Sequence, residues 1–346
     1  MSATHCDLEA ARAVARSLLG GTLDAICPVN SGRNSRVYRV ERAGRAYALK
    51  QYPRRDQDPR DRLGTEVAAL GLMERHGIGR VPRVLALDDE QGFALLTWLD
   101  GVPAAQLNET DVDAAAEFLG ALHALRHSGE FAPEHLASEA CLSRAEIIRQ
   151  LEMRRARLRA APACESELHA FLDGPYAAAF EDITRRSDAL AETSESDAGA
   201  PLAPELRSLV PSDFGFHNSL RARDGWLVFF DFEYFGWDDP VKMTADVMLH
   251  PGTRLPGELR RRFCRAAKRV YGAADPWFRR RLAAYYPLFG LRWVLILLND
   301  FVPNPWRRAL AGSVESWQAA KGLQLAKAQQ FLVDVCNEHG GSLDGA

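Results

Sequence analysis

The sequence predicts an α+β fold in two lobes, strand-rich first and helical afterwards. Three observations carry this. Strand patterns and turn signals dominate residues 25–97, broken by one helical pattern at 61–77, and helical periodicity takes over from residue 110. No internal repeat divides the chain, and 346 residues suffice to bury a core in each of two lobes, 1–97 and 98–346.

In order, the stretch 29–53 (VNSGRNSRVYRVERAGRAYALKQYP) holds a small-residue turn at Ser31-Gly32-Arg33-Asn34, then an alternating strand through Val37, Tyr38, Arg39 and Val40. A hairpin signal at Gly44 leads into a strand ending Ala48-Leu49-Lys50. In DRLGTEVAALGLMERHG (61–77), Leu63, Val67, Leu70 and Leu72 or Met73 recur at helical spacing, which places Glu66 on the inner side, facing Lys50. Residues 80–101 read as two strands around the turn 88–92, running into a connecting segment, Thr97-Trp98-Leu99-Asp100-Gly101. Helices follow at 111–127, 143–160 and 166–186, then a polar surface connection at 187–204, then helices at 257–272, 276–300 and 313–337. The six arginines of 144–159 go round the whole helix and read as a solvated face.

The most informative segment is PSDFGFHN (211–218) followed by WLVFFDFEYFGWDDP (226–240). It sets a carboxylate, Asp213, five residues before a carboxamide, Asn218, and places a second carboxylate, Asp231, at the end of an apolar strand. Phosphoryl transfer needs this set: a carboxylate to take the proton of an attacking hydroxyl, and an amide oxygen with a second carboxylate to hold magnesium on nucleotide phosphates. The D-x-x-x-x-N spacing before Asp-Phe matches kinase catalytic and metal loops. Upstream, Gly32 and its small neighbours permit close approach of backbone amides to phosphate oxygens. Lys50, sixteen residues before Glu66, has the place of a strand lysine paired with a helix glutamate. Taken singly, Asp213 reads rather as a cap of the Asp-Phe-Gly-Phe turn and Asn218 as a left-handed turn residue; the joint separations favour chemistry.

With these residues in hand, the chain resembles the aminoglycoside phosphotransferase and choline kinase superfamily over roughly residues 20–300. Asp-Phe-Glu (231–233) and the Gly236-Trp237-Asp238-Asp239-Pro240 that follows are similar to its small-molecule branch. The resemblance implies a bilobal protein-kinase-like fold, Asp213 as catalytic base, Asn218 and Asp231 as magnesium ligands, and Lys50 with Glu66 as the phosphate-positioning pair. It further implies ATP or GTP as donor, held by Ser31, Gly32, Arg33 and Asn34 and by hinge groups near Leu96 and Trp98. One departure stands out: the family's usual His-Gly before the catalytic Asp is Pro211-Ser212, which bears on loop geometry.

The formal net charge is −3 with both signs mixed, so neither nucleic acid nor an anionic membrane is an expected partner. Six scattered cysteines without a C-x-x-C pair read as free thiols, and no basic-then-apolar leader opens the sequence, so a cytoplasmic location is expected. The apolar run 285–298 contains Pro287 and Arg292 and reads as a core helix.

Glu233, Trp237 and Asp238, close behind Asp231, are the candidate acceptor contacts, while Asp239 reads rather as the cap of a helix starting at Pro240. Carboxylates beside aromatic rings suit a neutral or cationic hydroxylated acceptor: a sugar or amino sugar first, an aminoglycoside second, a choline-like alcohol third. His217 reads as a packing or substrate-contact residue and His123 as a structural histidine. The alternative function is a catalytically silent nucleotide-binding regulator on the same fold. A protein kinase is disfavoured, because no Ala-Pro-Glu segment follows Asp231.

Overall fold

A computed structural model describes residues 3–29, 35–53, 58–191, 200–253, 255–303 and 314–339. Its contacts divide the chain into two compact units, residues 1–138 with 209–237, and 139–208 with 238–346. The units interleave along the chain, where the sequence suggested a single cut after residue 97. Segment 209–237 joins the first unit because one of its strands pairs with Val102–Pro103.

The first unit opens with helix α1 (Ala3–Leu19), followed by β1 (Ala25–Val29), β2 (Arg36–Arg42), β3 (Arg45–Gln51), α2 (Arg62–Arg75), β4 (Val84–Asp88) and β5 (Phe93–Thr97). The five strands form one antiparallel sheet in the order β1-β2-β3-β5-β4. Arg42 pairs with Arg45 across a two-residue turn, and Ala43 and Gly44 both have positive φ (50° and 70°). That is the turn whose twist suits a tight hairpin, and Gly44 adopts it without penalty. Tyr38, Val40, Leu49, Phe93 and Leu95 form a core with Ala11, Val14 and Ala15 of α1. Helix α1 is absent from the elements expected above, although Leu8, Ala11, Val14 or Ala15, and Leu18 stand at helical spacing.

Asp61 caps α2, accepting from Gly64 N at 3.0 Å, and the helix buries Leu63, Leu70, Leu72 and Met73 together with Glu66. After β6 (Val102–Pro103), helix α3 (Glu109–Ala124) begins with a reciprocal capping box between Asn108 and Asp111. Of the short strands β7 (Ser208–Val210), β8 (Ser219–Arg221) and β9 (Leu227–Phe229), β8 and β9 form a hairpin beside β6.

The second unit is helical: α4 (Arg144–Arg159), α5 (Ser166–Asp173), α6 (Pro175–Ala191), α7 (Pro240–Leu249), α8 (Gly257–Gly272), α9 (Phe278–Leu297) and α10 (Val314–His339). Helices α4, α6, α7, α8 and α10 all pack on α9. Gly290 lets α10 approach, since a Cβ there would meet the Val335 methyls at 2.8 Å. The stretch Phe278–Phe301 is long and apolar enough to cross a membrane, but 78% of its most apolar window is buried, as in a core helix.

Two expectations need correction. The helix expected at 166–186 is two helices, broken at Gly174-Pro175, where proline disfavours helical geometry in its predecessor; the second runs on to Ala191. The arginines of α4 are not uniformly solvated either. The side chains of Arg144 and Arg154 are only 12% and 11% exposed, paired with Asp188 and Glu139.

Candidate active site

Lys50, Glu66, Asp213, Asn218 and Asp231 all belong to the first unit. Strand β3 is central in its sheet, which fixes Lys50. Its Nζ donates to Glu66 Oε2 at 2.6 Å and Asp231 Oδ1 at 2.6 Å, and lies 3.2 Å from Glu233 Oε2. Glu66, 1% exposed, also accepts from the Tyr52 hydroxyl at 2.8 Å and, through Oε1, from the backbone N–H of Phe232 at 3.1 Å. One carboxylate thus ties α2 to β3 and to the segment after Asp231. Tyr52 stands two residues after Lys50, just past the end of β3, and Glu66 shares a helix face with Leu63 and Leu70.

Aromatic packing holds the two carboxylate-bearing loops. Phe214, next to Asp213, stacks on Phe118 of α3 at 5.4 Å between ring centroids; Phe229 lies 4.9 Å from Phe118 and 5.0 Å from Phe214, and Phe232 lies 6.0 Å from Phe118. The loops are also joined through Asn218, whose Nδ2 donates to the carbonyl of Asp213 at 2.9 Å while its own carbonyl accepts from Phe230 N at 3.1 Å. Because the amide nitrogen is turned to Asp213, the Asn218 side-chain oxygen is the atom left for a cation. Asp213 itself keeps a side chain 38% exposed, with His217 Nε2 at 3.1 Å from its Oδ1.

Ser212 has a φ of +67°. The position at which the resembled family has glycine is therefore left-handed in this chain. Serine occupies it at a cost of roughly 1 kcal/mol and donates its hydroxyl to Ser138 O at 3.0 Å, which keeps the loop in place. Asp231 is likewise left-handed, with φ +72°, and strain of this kind collects at functional sites.

The electrostatics show an excess of negative charge. Asp231 is pushed up to about 7, chiefly by burial; Lys50 opposes the rise, while Glu233 and Glu66 add to it. Burial alone would lower Lys50, yet Asp231, Glu66 and Glu233 hold its ammonium well above the ordinary value. Lys50, Arg60 and Arg62 face four carboxylates, Asp58, Glu66, Asp231 and Glu233. Such a cluster suits a divalent cation, and the oxygen donors of Asn218 and Asp231 are of the hard type magnesium takes.

A model of the phosphotransferase enzyme family, APH, matches residues 25–277. The chain belongs to this family. Among solved structures it is similar to choline kinase LicA from Streptococcus pneumoniae, with 14% identity and a TM-score of 0.59 over 95% of this chain and 99% of that one. It is similar to a choline/ethanolamine kinase family protein from Mesorhizobium loti, with 18% identity and a TM-score of 0.58 over 96% and 99%. Similarity extends to ADP-bound aminoglycoside phosphotransferase APH(2'')-Ib, with 16% identity and a TM-score of 0.55 over 93% and 98%. No curated protein sequence matches the chain. This member of the phosphotransferase enzyme family has a protein-kinase-like α+β fold.

Several site expectations look different in this phosphotransferase's structure. Ser31, Gly32, Arg33 and Asn34 lie outside the described residues. Leu96 ends the buried run of β5; Trp98 follows, its indole N–H donating to Asp100 Oδ1 at 3.0 Å and its ring 5.2 Å from the Arg39 guanidinium. The acceptor trio needs correction, because all three side chains point into packed protein. Glu233 is bound to Arg62 at 2.6 Å, and Trp237 donates its indole N–H to Ala132 O at 3.0 Å. Asp238, fully buried, accepts from Cys141 N and Asp239 N at 2.8 Å each and lies 3.1 Å from Lys242 Nζ. Asp239 caps α7, accepting from Val241 N at 2.9 Å, and pairs with Arg281. Sequence reading missed Arg62 and Tyr52; the signal for Arg62 was its place one helical turn before Glu66.

Proposed function

We propose that this kinase transfers the γ-phosphoryl group of ATP or GTP to a hydroxyl of a small polar molecule, a sugar or amino sugar first, with an aminoglycoside or a choline-like alcohol next. The observation that carries the donor side is the contact of buried Lys50 with both Glu66 and Asp231, at 2.6 Å each, beside a second loop whose Asp213 side chain is 38% exposed. In this reading Lys50, oriented by Glu66, binds donor phosphate oxygens, with the loop 31–34 and the hinge at Leu96 and Trp98 completing the nucleotide site. Asn218 and Asp231 hold Mg²⁺, which when bound neutralises phosphate charge. Asp213 accepts the proton of the attacking hydroxyl, and His217 orients that carboxylate.

Support for the acceptor class comes from the company the fold keeps. Choline carries a hydroxyl and a cation, and aminoglycosides carry many of both; the solved neighbours include kinases named for each, one in complex with gentamicin. Burial of Glu233 and Asp238 withdraws the earlier electrostatic argument for that class. The remaining proposals are a cytoplasmic location and no nucleic-acid or membrane partner. The test is a phosphate-transfer screen of neutral sugars, amino sugars, aminoglycosides, amino alcohols and sugar acids, with Mg-ATP and Mg-GTP. A best acceptor among the sugar acids would refute the acceptor class. Nucleotide binding without turnover on any acceptor would favour the silent regulator.

A further inference from the structure

Arg62 stands one turn before Glu66 on α2, 6% exposed. Its NH1 donates to Glu233 Oε1 at 2.6 Å, its Nε donates to Asp58 Oδ2 at 3.0 Å, and its NH2 binds the same Asp58 oxygen. The guanidinium lies 5.0 Å from the centroid of the Tyr234 ring. Glu233 places its other oxygen 3.2 Å from Lys50 Nζ. Two successive turns of α2 are therefore tied to residues 231–234, one through Glu66 and Phe232 N, the other through Arg62, Glu233 and Tyr234.

We infer that Arg62 is a positioning residue for donor binding, neutralising Glu233 so that Lys50 stays with Glu66 and Asp231 and fixing the rotation of α2 against the metal-binding segment. This rests on the donor reading proposed above. A single tether would leave α2 free to pivot about the Glu66 contact; a second, one turn (about 5.4 Å) along the axis, defines its direction. The charge argument is separate. Without Arg62, Glu233 would be a buried carboxylate whose remaining cation within bonding reach, among the described residues, is Lys50. The ammonium would be drawn toward it and away from donor phosphates. Buried ion pairs contribute little net stability on average, because desolvation offsets attraction, so stability alone is a weak reason for this one. Arginine suits the place because its planar fork meets two carboxylates and a ring face at once, which an ammonium cannot do.

The experiment is calorimetric binding of Mg-ATP and Mg-GTP, with a Mg²⁺ titration, to the full chain and to Arg62→Met, Arg62→Lys, Glu233→Gln and the double variant Arg62→Met/Glu233→Gln. Arg221→Met, which breaks the bidentate pair with Asp111 elsewhere in the same unit, serves as the stability control. Arg62→Met should weaken Mg-nucleotide binding tenfold or more and Arg62→Lys by less. Adding Glu233→Gln to Arg62→Met should restore part of the loss, because the stray carboxylate is gone. The control should lower Tm and leave binding unchanged. If Arg62→Met does not fold, Arg62→Lys and Glu233→Gln decide. Wild-type affinity and Mg²⁺ dependence in the folded Arg62 variants, with only Tm lowered, would overturn the inference while leaving the donor reading intact. Failure of the wild-type protein to bind either nucleotide would overturn both.

Discussion

Replacing Glu66 with glutamine tests the central contact, because the change keeps shape and removes one charge. The carboxylate serves three donors: Lys50 Nζ at 2.6 Å and the Tyr52 hydroxyl at 2.8 Å on Oε2, and Phe232 N at 3.1 Å on Oε1. A glutamine amide has one acceptor oxygen, so in either orientation its NH₂ faces a donor. With the oxygen toward Lys50, it meets the Phe232 N–H; flipped, it meets the ammonium. Hydrogen bonds to charged groups contribute about 1.5–3 kcal/mol each. Removing one member of a buried pair costs about 3–5 kcal/mol when the other is left alone, but Lys50 retains Asp231 at 2.6 Å and Glu233 at 3.2 Å. The net loss should thus be about 2–3 kcal/mol, a fall in Tm of roughly 4–12 °C for a unit of this size. Because the contact also orients Lys50, half-saturation by Mg-ATP should rise well beyond what lost stability explains at a temperature where both proteins are folded. Tyr52→Phe, which removes one of the three bonds and no formal charge, should show a smaller fall in Tm. Scanning calorimetry and nucleotide titration give both readings. A Tm within about 1 °C of wild type together with unchanged half-saturation would refute the reasoning.

Asp213→Asn keeps the loop's size and removes its proton acceptor, so turnover should fall by about 10²–10⁴ with little change in nucleotide affinity; near-normal turnover would remove Asp213 from the base role. Asp231→Asn should do the opposite, weakening Mg-nucleotide binding in calorimetry by taking one charge from the proposed metal shell. If Asp213→Asn weakened binding more than Asp231→Asn, the two roles would have to be exchanged. Buried His123 is held down to about 4, chiefly by burial and further by the charges of Arg126 and His127. Its folded value is below the unfolded one of about 6.5, so the unfolded chain binds the extra proton between them. The histidine's contribution is therefore complete above about pH 6.5 and is lost as pH falls toward 4. Wild type should lose more Tm than His123→Asn between pH 7 and 5; parallel losses would show that this histidine does not titrate on unfolding.

The residues proposed to carry the chemistry stand out in the sequence because they obey local rules. Asp213, Asn218 and Asp231 are fixed by loop spacing and an apolar strand, and Lys50 and Glu66 by strand and helix phase, periodicities that a one-dimensional string preserves. The hairpin at Gly44 and the helix start at Asp239-Pro240 follow from local backbone conformation, and they too stand in the sequence. Tertiary structure alone decided which carboxylates face a site and which are consumed inside it. Glu233 and Asp238 look like substrate contacts in the string, since they follow Asp231 and are acidic. Their partners, Arg62 at 171 residues' separation and the Cys141 backbone at 97, come near only when distant segments pack. The same holds for the aromatic cluster, in which Phe118 of α3 joins Phe214, Phe229 and Phe232 and so aligns two loops more than ten residues apart. A buried charge must find its counter-charge wherever the fold brings one, and the sequence records the charge without recording that meeting.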